Sequence, residues 1–279
     1  RDAIQYIHDY AVRGANLGKT PDELVDEFEY PLFFLENYDL QEKYGKVSWS
    51  IRNVYNGYLG FFDGRAVNLE PLSDKIRAKH IFELIGSKEK LIQEINKAND
   101  AYNFQWAAEL SDIGLFNFPE DKIIKKLYST SLENLSKVEK NPIARNYYLS
   151  EAYELSEKIS PSLKYTVSAE QAKNIPLSTF FDAMGPRLDP TKAKDKFIRI
   201  GFNISDSGEK FGVIIRNQIA EISDFYDDDY DAIITVDSNT WKGVVLKTEN
   251  AARAIASGKL SISGEALKFL QFSSMFVND

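Results

Sequence analysis

The stretch that decides the fold is IRIGFNISDSGEKFGVIIR, residues 198–216. Residues 198–204 carry an apolar side chain at every second position, which is the period of a strand with one buried face. The turn-forming residues 206–208 follow, and residues 211–215 then repeat the alternation. This pattern predicts a β-hairpin, and therefore a sheet, in this part of the chain.

Further elements are predicted around this hairpin. Runs rich in β-branched residues predict strands at 219–222, 232–236 and 260–262. Apolar residues at helical spacing predict helices at 178–184, 239–246, 249–257 and 265–276. The predicted fold of this half is α+β, with helices covering one face of a mostly antiparallel sheet.

The amino-terminal half follows a different pattern. Up to about residue 158, apolar residues recur at helical spacing, with breaks at Gly86, Pro119 and Pro142. Residues 30–44 are an exception and predict an irregular connection. Amphipathic helices joined by short links are typical of a layered helical array. This half is therefore predicted to be all-α.

The change from helical to strand periodicity near residue 160 divides the chain. A length of 279 residues is ample for two domains that each bury a core. We predict a multidomain protein, with an all-α helical array over residues 1–160 and an α+β domain over residues 161–279.

Composition and charge exclude several classes of function. The 34 basic and 42 acidic residues give a net charge of -8, and no basic stripe is present, so no nucleic acid partner is predicted. No apolar run approaches the roughly 20 residues of a membrane-spanning helix, so no transmembrane segment is predicted. The absence of cysteine excludes disulfides, thiolate nucleophiles and cysteine zinc sites.

The sequence offers little for catalysis or metal binding. A catalytic zinc needs three or more protein ligands, whereas His8 and His80 are the two histidines and lie in separate helical stretches. The acidic run at 227–231 lacks the glycine and glutamate of a calcium-binding loop and predicts a solvated loop. Motifs for acyl transfer, nucleotide hydrolysis and dinucleotide binding are absent. We therefore predict no catalytic residue, metal ligand or cofactor in this chain.

Bulky apolar residues of the second half form the candidate site. Most are expected to be core. The alternative is an apolar tunnel between the last helix and the sheet that takes a long-chain alkyl or fatty-acid-like ligand. A charge introduced at Phe272 or Met275 is then expected to abolish binding while the fold stays intact. The residues assigned to this site are Phe180, Phe181, Met184, Phe202, Trp241, Leu246, Phe269, Phe272, Met275 and Phe276.

Two groups of motifs resemble a known family. The first half contains YGKVS at 44–48, YLGFFDG at 58–64 and QWAAEL at 105–110, which resemble the dimerisation region of alkyl sulfatases. The second half contains IITVD at 233–237 and GKLSISGE at 258–265, which resemble the ending of sterol-carrier-protein-2-like (SCP-2-like) domains. In alkyl sulfatases such a domain is the natural third one, so the two groups occur in the order that the family has.

The resemblance implies a non-catalytic carboxyl-terminal part of an alkyl-sulfatase-like zinc hydrolase. Sulfate esters would be hydrolysed by an upstream metallo-β-lactamase-type domain, which holds zinc, expected to be dinuclear, on a His-x-His-x-Asp-His motif. That motif has no counterpart here. This chain would provide dimerisation and apolar-tail binding, in a bacterial periplasmic or secreted setting more than a cytoplasmic one. It departs from the family pattern at Trp49–Ser50 and Arg65–Ala66, which argues against a direct catalytic role for residues 48–52.

A homodimer is expected because the aromatic and apolar content before residue 160 exceeds what a thin helical layer can bury. Two alternatives stay open: a stand-alone lipid-binding or adaptor protein without an enzymatic parent, and a parent that has lost sulfatase activity and retains binding alone. The residues expected at the dimer face are Phe33, Phe34, Leu35, Tyr55, Tyr58, Phe61 and Phe62.

Overall fold

The structure is a computed structural model that describes residues 1–157, 169–223, 229–246 and 248–276. The chain divides into two compact units, Arg1–Ser162 and Leu163–Asp279. Each unit has a buried hydrophobic core of its own.

The regular elements described in the first unit are helices and 3₁₀ turns, which confirms the all-α prediction for this half. A helix of four residues and a 3₁₀ turn at Tyr38–Leu40 lie where we predicted an irregular connection, and a second 3₁₀ turn lies at Ala66–Asn68. The helices are α1 (Asp2–Asn16), α2 (Pro21–Asp26), α3 (Leu32–Leu35), α4 (Val47–Leu59), α5 (Asp74–Ile85), α6 (Lys88–Asp100), α7 (Phe104–Asn117), α8 (Lys122–Val138) and α9 (Pro142–Leu155).

Side-chain caps set where several of these helices begin. At the start of α2, the Thr20 hydroxyl accepts a hydrogen bond from the Glu23 backbone N–H at 3.3 Å, and the Glu23 carboxylate accepts one from the Thr20 N–H at 2.8 Å. Asn141 caps α9, and its side-chain amide also donates to the carbonyls of Glu42 at 3.0 Å and Gly45 at 3.1 Å. Buried Asn141 therefore fixes the chain before α4 against the start of α9.

The helices of this unit pack in two groups. Helices α1, α2 and α4 enclose Leu24, Ile51 and Tyr55. Gly14 permits this packing, because a Cβ there would collide with the Leu24 side chain. Helices α6 to α9 pack mainly on their neighbours in sequence and α5 packs on α7, around Leu91 and Ile95 at one end and Ala152 at the other. This second arrangement agrees with the predicted array.

The second unit combines helices with a mixed sheet. Its described helices are α10 (Ala169–Lys173), α11 (Leu177–Asp182), α12 (Met184–Arg187), α13 (Ser238–Val245), α14 (Ala251–Ala256) and α15 (Ala266–Ser273). Its described strands are β1 (Ile198–Ile204), β2 (Lys210–Arg216), β3 (Ile219–Ser223), β4 (Ala232–Val236) and β5 (Leu260–Gly264). The strand order is β3-β2-β1-β4-β5, in which the β1–β4 pair is parallel and the others are antiparallel. The α+β prediction with a mostly antiparallel sheet is confirmed.

The central strand β1 supplies the middle of the core. Its alternate residues Ile198, Ile200, Phe202 and Ile204 are almost completely buried, as the sequence period predicts. Helix α11 lies over this region, since the ring of Phe181 lies 5.0 Å from that of Phe202, measured between centroids. The core is thus aromatic on the side where the helices gather.

Candidate functional site: an apolar cavity in the second unit

A cavity of about 430 Å³ opens among the helices of the second unit. Helices α11, α12, α13 and α15 contribute most of its wall, and apolar side chains dominate its lining. Its size falls within the usual range for small-molecule sites. The lining residues are Ile175, Thr179, Phe180, Ala183, Met184, Arg187, Trp241, Val244, Val245, Leu246, Ala251, Phe269, Phe272, Ser273 and Phe276.

The structure places the ten sequence-predicted site residues in two groups. Three of them, Phe181, Phe202 and Met275, are buried in the core and are not part of the cavity lining. The other seven line the cavity: Phe180, Met184, Trp241, Leu246, Phe269, Phe272 and Phe276.

Sequence reasoning missed the small and polar part of the wall. Thr179, Ala183, Arg187 and Ser273 line the cavity, but a search for bulky apolar residues has no means of finding them. The adjacent valines of α13 and the flanking Ile175 and Ala251 were also outside the assigned set. One sequence signal could have found the two valines. Trp241, Val244 and Val245 follow helical spacing, so a periodicity search over α13 places them on the same face of the helix.

The charge test at Phe272 and Met275 is wrong in one respect. Their exposed fractions are 1% and 2%, and the Phe272 ring packs 6.1 Å from that of Phe202. A charge at either position would disrupt the core itself, so the fold would not stay intact. On α15, Leu267 and Leu270 are exposed to solvent and do not line the cavity.

Aromatic stacking and a buried lysine hold the cavity wall in place. The Trp241 ring lies 4.6 Å from that of Phe202 and 5.7 Å from that of Phe181. The next residue, Lys242, is buried, and its ammonium donates to the carbonyls of Lys173 at 3.0 Å and Ile175 at 2.6 Å. Helix α13 is therefore tied to the end of α10, and the tryptophan ring packs against both phenylalanine rings, which also contact each other.

A second hollow, which we call the acidic hollow, lies in the first unit. Its lining includes Asp74, Glu109, Asp112 and Glu151 together with aromatic side chains. Trp106 is 45% exposed and lines this hollow. The lining mixes four carboxylates with Arg77, so it differs chemically from the apolar cavity.

Two side chains that line the acidic hollow, Asp112 and Tyr128, have raised pKa values. Burial raises the pKa of Asp112, and the neighbouring Glu151 and Asp74 raise it further. Burial also raises the pKa of Tyr128 strongly, with added contributions from the charges of Glu151 and Asp112. The folded chain therefore disfavours the ionised form of Asp112.

We expect Asp112→Asn to stabilise the first unit at neutral pH. Because the pKa of Asp112 is raised on folding, the protonated form of this carboxyl favours the folded state. That contribution is complete below the ordinary aspartate pKa and is lost as the pH rises through the pKa of the folded state. Removing the carboxylate should raise Tm by about 2 °C at pH 7, given that about 1 kcal/mol corresponds to about 2–4 °C in a unit of this size.

Differential scanning calorimetry between pH 3 and pH 8 measures this effect. The gain should fade toward pH 3. Glu109→Gln is the control, because Glu109 lines the same hollow but does not contribute to the Asp112 shift. A gain of equal size at both ends of the pH range would contradict the assignment.

The histidines and the acidic run are accounted for by local contacts. His8 hydrogen-bonds with Asp9 at 2.9 Å and with the Tyr58 hydroxyl at 3.0 Å, while His80 contacts Glu83 at 3.1 Å. Among the described residues, no group of three or more His, Cys, Asp or Glu side chains is arranged to hold a metal ion.

The described part of the acidic run, residues 229–231, precedes β4 and contacts the start of β1. The Asp229 carboxylate pairs with Arg199 at 2.5 Å, and the Asp231 carboxylate accepts from the Arg199 backbone N–H at 2.7 Å. These contacts favour a structural role at the start of β1. Asp227 and Asp228 lie outside the described residues.

Comparison with known proteins identifies the family. Residues 20–158 match the family model for alkyl sulfatase dimerisation, and residues 165–278 match the model for the alkyl sulfatase C-terminal region. The chain belongs to the alkyl sulfatase family. The resemblance seen in the sequence motifs is thereby confirmed.

Individual relatives agree with this assignment. The chain is 31% identical to a linear primary-alkylsulfatase of a Pseudomonas species, over 99% of this chain and 54% of that protein. It is 26% identical to an alkyl/aryl-sulfatase of Saccharomyces cerevisiae, over 99% of this chain and 43% of that protein. The chain therefore spans about half the length of the curated relatives it matches.

A solved structure supports the fold. The stereoselective inverting sec-alkylsulfatase Pisa1 from a Pseudomonas species superposes with a TM-score of 0.90 at 24% identity. The superposition covers 99% of this chain and 44% of that one. Among the described residues, the helices are too short or too polar to cross a membrane.

Proposed function

We propose that this chain provides dimerisation and apolar-tail binding to an alkyl-sulfatase-type zinc hydrolase. In this proposal the sulfate ester is hydrolysed by a metallo-β-lactamase-like zinc domain outside the 279 residues. The observation that carries it is the apolar cavity of the second unit, in a chain whose two halves match alkyl sulfatase models. A bacterial periplasmic or secreted location is part of the same proposal.

The cavity suits an alkyl tail for a simple energetic reason. Each methylene removed from water is worth about 0.8 kcal/mol, so a tail of about ten carbons offers several kcal/mol even after the cost of immobilising it. Aromatic residues such as Phe180, Trp241 and Phe269 line the cavity, which gives the tail a preformed apolar surface. An amphiphilic substrate could then hold its tail here while its head group reaches a catalytic centre.

The tail-binding proposal is tested by a charge at the cavity rim. Leu246 lines the cavity, is partly exposed, and is not a member of the buried core cluster. We expect Leu246→Glu to weaken binding of a fluorescent fatty acid at least about tenfold, because a leucine contact is worth about 1.5–3 kcal/mol and an unpaired charge adds a penalty.

The matched control is Leu267→Glu, since Leu267 is 79% exposed and does not line the cavity. Both variants should keep the circular dichroism spectrum and Tm of the unsubstituted chain. Equal affinity of both variants and the unsubstituted chain for the fatty acid would refute tail binding in this cavity.

We propose that this chain holds no zinc site of the family type. In support, a catalytic zinc needs three or more protein ligands, whereas His8 and His80 each contact a local carboxylate and belong to different helices. We expect the isolated chain to bind no stoichiometric zinc and to leave dodecyl sulfate intact. Elemental analysis and a sulfate-release assay measure these results, and one or two zinc ions held tightly per chain would contradict them.

A homodimer is proposed through the region around α3 and the end of α4. Phe33, Tyr58 and Phe61 are strongly exposed there, and the matched family model is one for dimerisation. Tyr55, assigned to this face from sequence, is instead buried in the core of α1, α2 and α4. Monomeric soluble proteins rarely leave such a set uncovered, so a second copy of the chain is the proposed partner.

A further inference from the structure

The mouth of the apolar cavity differs chemically from its interior. Every buried or half-buried side chain of the lining is apolar, whereas the exposed members are Thr179, Ala183, Arg187 and Ser273. Three of these four are polar, and we call Thr179, Arg187 and Ser273 the polar rim. Among the residues that the structure describes, Arg187 is the charged member of the lining, and no carboxylate takes part.

The local fold holds Arg187 at this rim. Ala183 joins α11 to α12 with its own backbone in the right-handed helical region, so Thr179, Ala183 and Arg187 follow one another at intervals of four residues. Side chains at this spacing lie along the same side of a helix. Just beyond α12, the Asp189 backbone N–H donates to the carbonyl of Met275 at 2.8 Å. The backbone next to Arg187 is therefore anchored to the segment that follows α15.

The guanidinium of Arg187 is available to a ligand. Within the described ranges it makes no ion pair with a carboxylate. The nearest acidic residue after it in the chain, Asp189, lies 4.0 Å from Lys192 and accepts from the Thr191 backbone N–H at 2.9 Å. The chain as a whole carries a net charge of -8, so an uncompensated cation beside an apolar cavity runs against its overall charge.

We propose that the cavity selects a single-chain amphiphile with an anionic head, whose tail lies inside and whose head lies outside, at the polar rim beside Arg187. This inference rests on the proposed tail binding and deepens it by naming the charge of the head group. A sulfate ester and a carboxylate share the required chemistry. Because Arg187 is exposed, the head leaves the cavity and stays accessible to a catalytic centre.

Tail and head contribute differently to this recognition. Burial of methylenes supplies most of the affinity and does not distinguish one head group from another. The guanidinium supplies selectivity, since its planar set of N–H donors matches the oxygens of a carboxylate or sulfate. Solvent weakens an ion pair at an exposed position, so the expected preference for an anionic over a neutral head is about fivefold.

This preference has a consequence for turnover in the proposed parent enzyme. An alkyl sulfate and water give an alcohol and hydrogen sulfate, so the negative charge leaves with the inorganic product. The alcohol keeps the tail but loses the attraction to Arg187. The cavity therefore holds the charged substrate in preference to the neutral product of the same chain length.

The experiment compares head groups on one tail, using the full chain. Calorimetric titration with octyl sulfate, octanoate, 1-octanol and octyltrimethylammonium, each below its aggregation concentration, gives four affinities. We expect Arg187→Gln to lower the ratio of the octyl sulfate affinity to the 1-octanol affinity about fivefold. The affinity for 1-octanol itself should stay within about twofold, because the tail contacts are unchanged.

Charge reversal gives a readout that damage to the fold cannot imitate. Arg187→Glu should weaken octyl sulfate at least about tenfold and strengthen octyltrimethylammonium, because the sign of the rim changes. The matched control is Arg253→Glu, since Arg253 is an exposed arginine of the same unit that does not line the cavity. This control should change each affinity by less than about twofold.

The outcomes separate this inference from the proposed function. If octanoate loses affinity together with octyl sulfate in Arg187→Gln, any anionic head is accepted, whereas a loss confined to octyl sulfate restricts the ligand to the sulfate ester. Both patterns support the inference. Unchanged selectivity in both Arg187 variants, or an equal change in Arg253→Glu, would overturn it while tail binding still stands. Failure of the unsubstituted chain to bind any of the four amphiphiles would overturn both.

Discussion

Gly264→Ala should lower the free energy of unfolding of the second unit by about 3 kcal/mol or more. Gly264 ends β5 with φ at +91°, a conformation that costs an L-residue about 1 kcal/mol or more. A Cβ at this position would also lie 2.6 Å from the backbone oxygen of Asp231. The Asp231 backbone is held by hydrogen bonds to Arg199 and Glu265, so it cannot yield without breaking them.

The control for this prediction is Gly258→Ala. Gly258 has a similar φ of +74°, but a Cβ there would meet nothing within 4 Å. It should cost about 1 kcal/mol, the conformational part alone. Urea unfolding in a Trp49→Phe, Trp106→Phe background reports the second unit through the remaining tryptophan. Similar losses for the two alanines would show that the close approach is unimportant.

Phe33→Glu combined with Phe61→Glu should convert the proposed homodimer into a monomer. The two phenylalanines are 72% and 82% exposed in the chain, so the free chain bears little cost from the substitution. At an interface each aromatic anchor is worth about 2 kcal/mol or more, and a buried charge adds to the loss. The dissociation constant should therefore rise at least about a hundredfold in analytical ultracentrifugation.

A control pair tests whether dissociation of the dimer depends on where the charges are placed on the surface. Tyr102→Glu and Tyr147→Glu place the same charge at similarly exposed aromatics outside the α3 and α4 region. These variants should remain dimeric at micromolar concentration. A chain that is monomeric before any substitution, or one that dissociates equally with the control pair, would refute the assigned face.

Local signals in the sequence were sufficient for most elements of the fold. The alternation at 198–204 places residues 198, 200, 202 and 204 of β1 in the core, and the Thr20–Glu23 spacing is the capping box of α2. Such features depend on residues close together in the chain. Helix α10 was missed because five residues are too few to show a helical period, and the parallel pairing of β1 with β4 was not predicted because a strand's sequence does not specify its partner.

The candidate site was predictable in outline but not in orientation. Counting bulky apolar residues found Phe180, Trp241 and Phe269, yet it also selected Phe181 and Met275, which belong to the core. Whether a buried aromatic faces a cavity or another side chain depends on packing between distant elements. The polar rim of the cavity is likewise a three-dimensional property, because elements that are distant in the sequence define it.

The strand order imposes a sequence of events on biosynthesis. In the first unit the helices pack on partners that are close in sequence: α6, α7 and α8 each pack on the next helix, α5 packs on α7, and α1 and α2 pack on α4. Each can therefore dock soon after it leaves the ribosome. In the second unit the hairpins of β1, β2 and β3 are local, but β4 must return to lie beside β1, and β5 and α15 come last. Its aromatic core therefore stays uncovered until nearly the whole chain is synthesised. The nascent protein consequently carries a folded first unit while its second unit still depends on protection from aggregation.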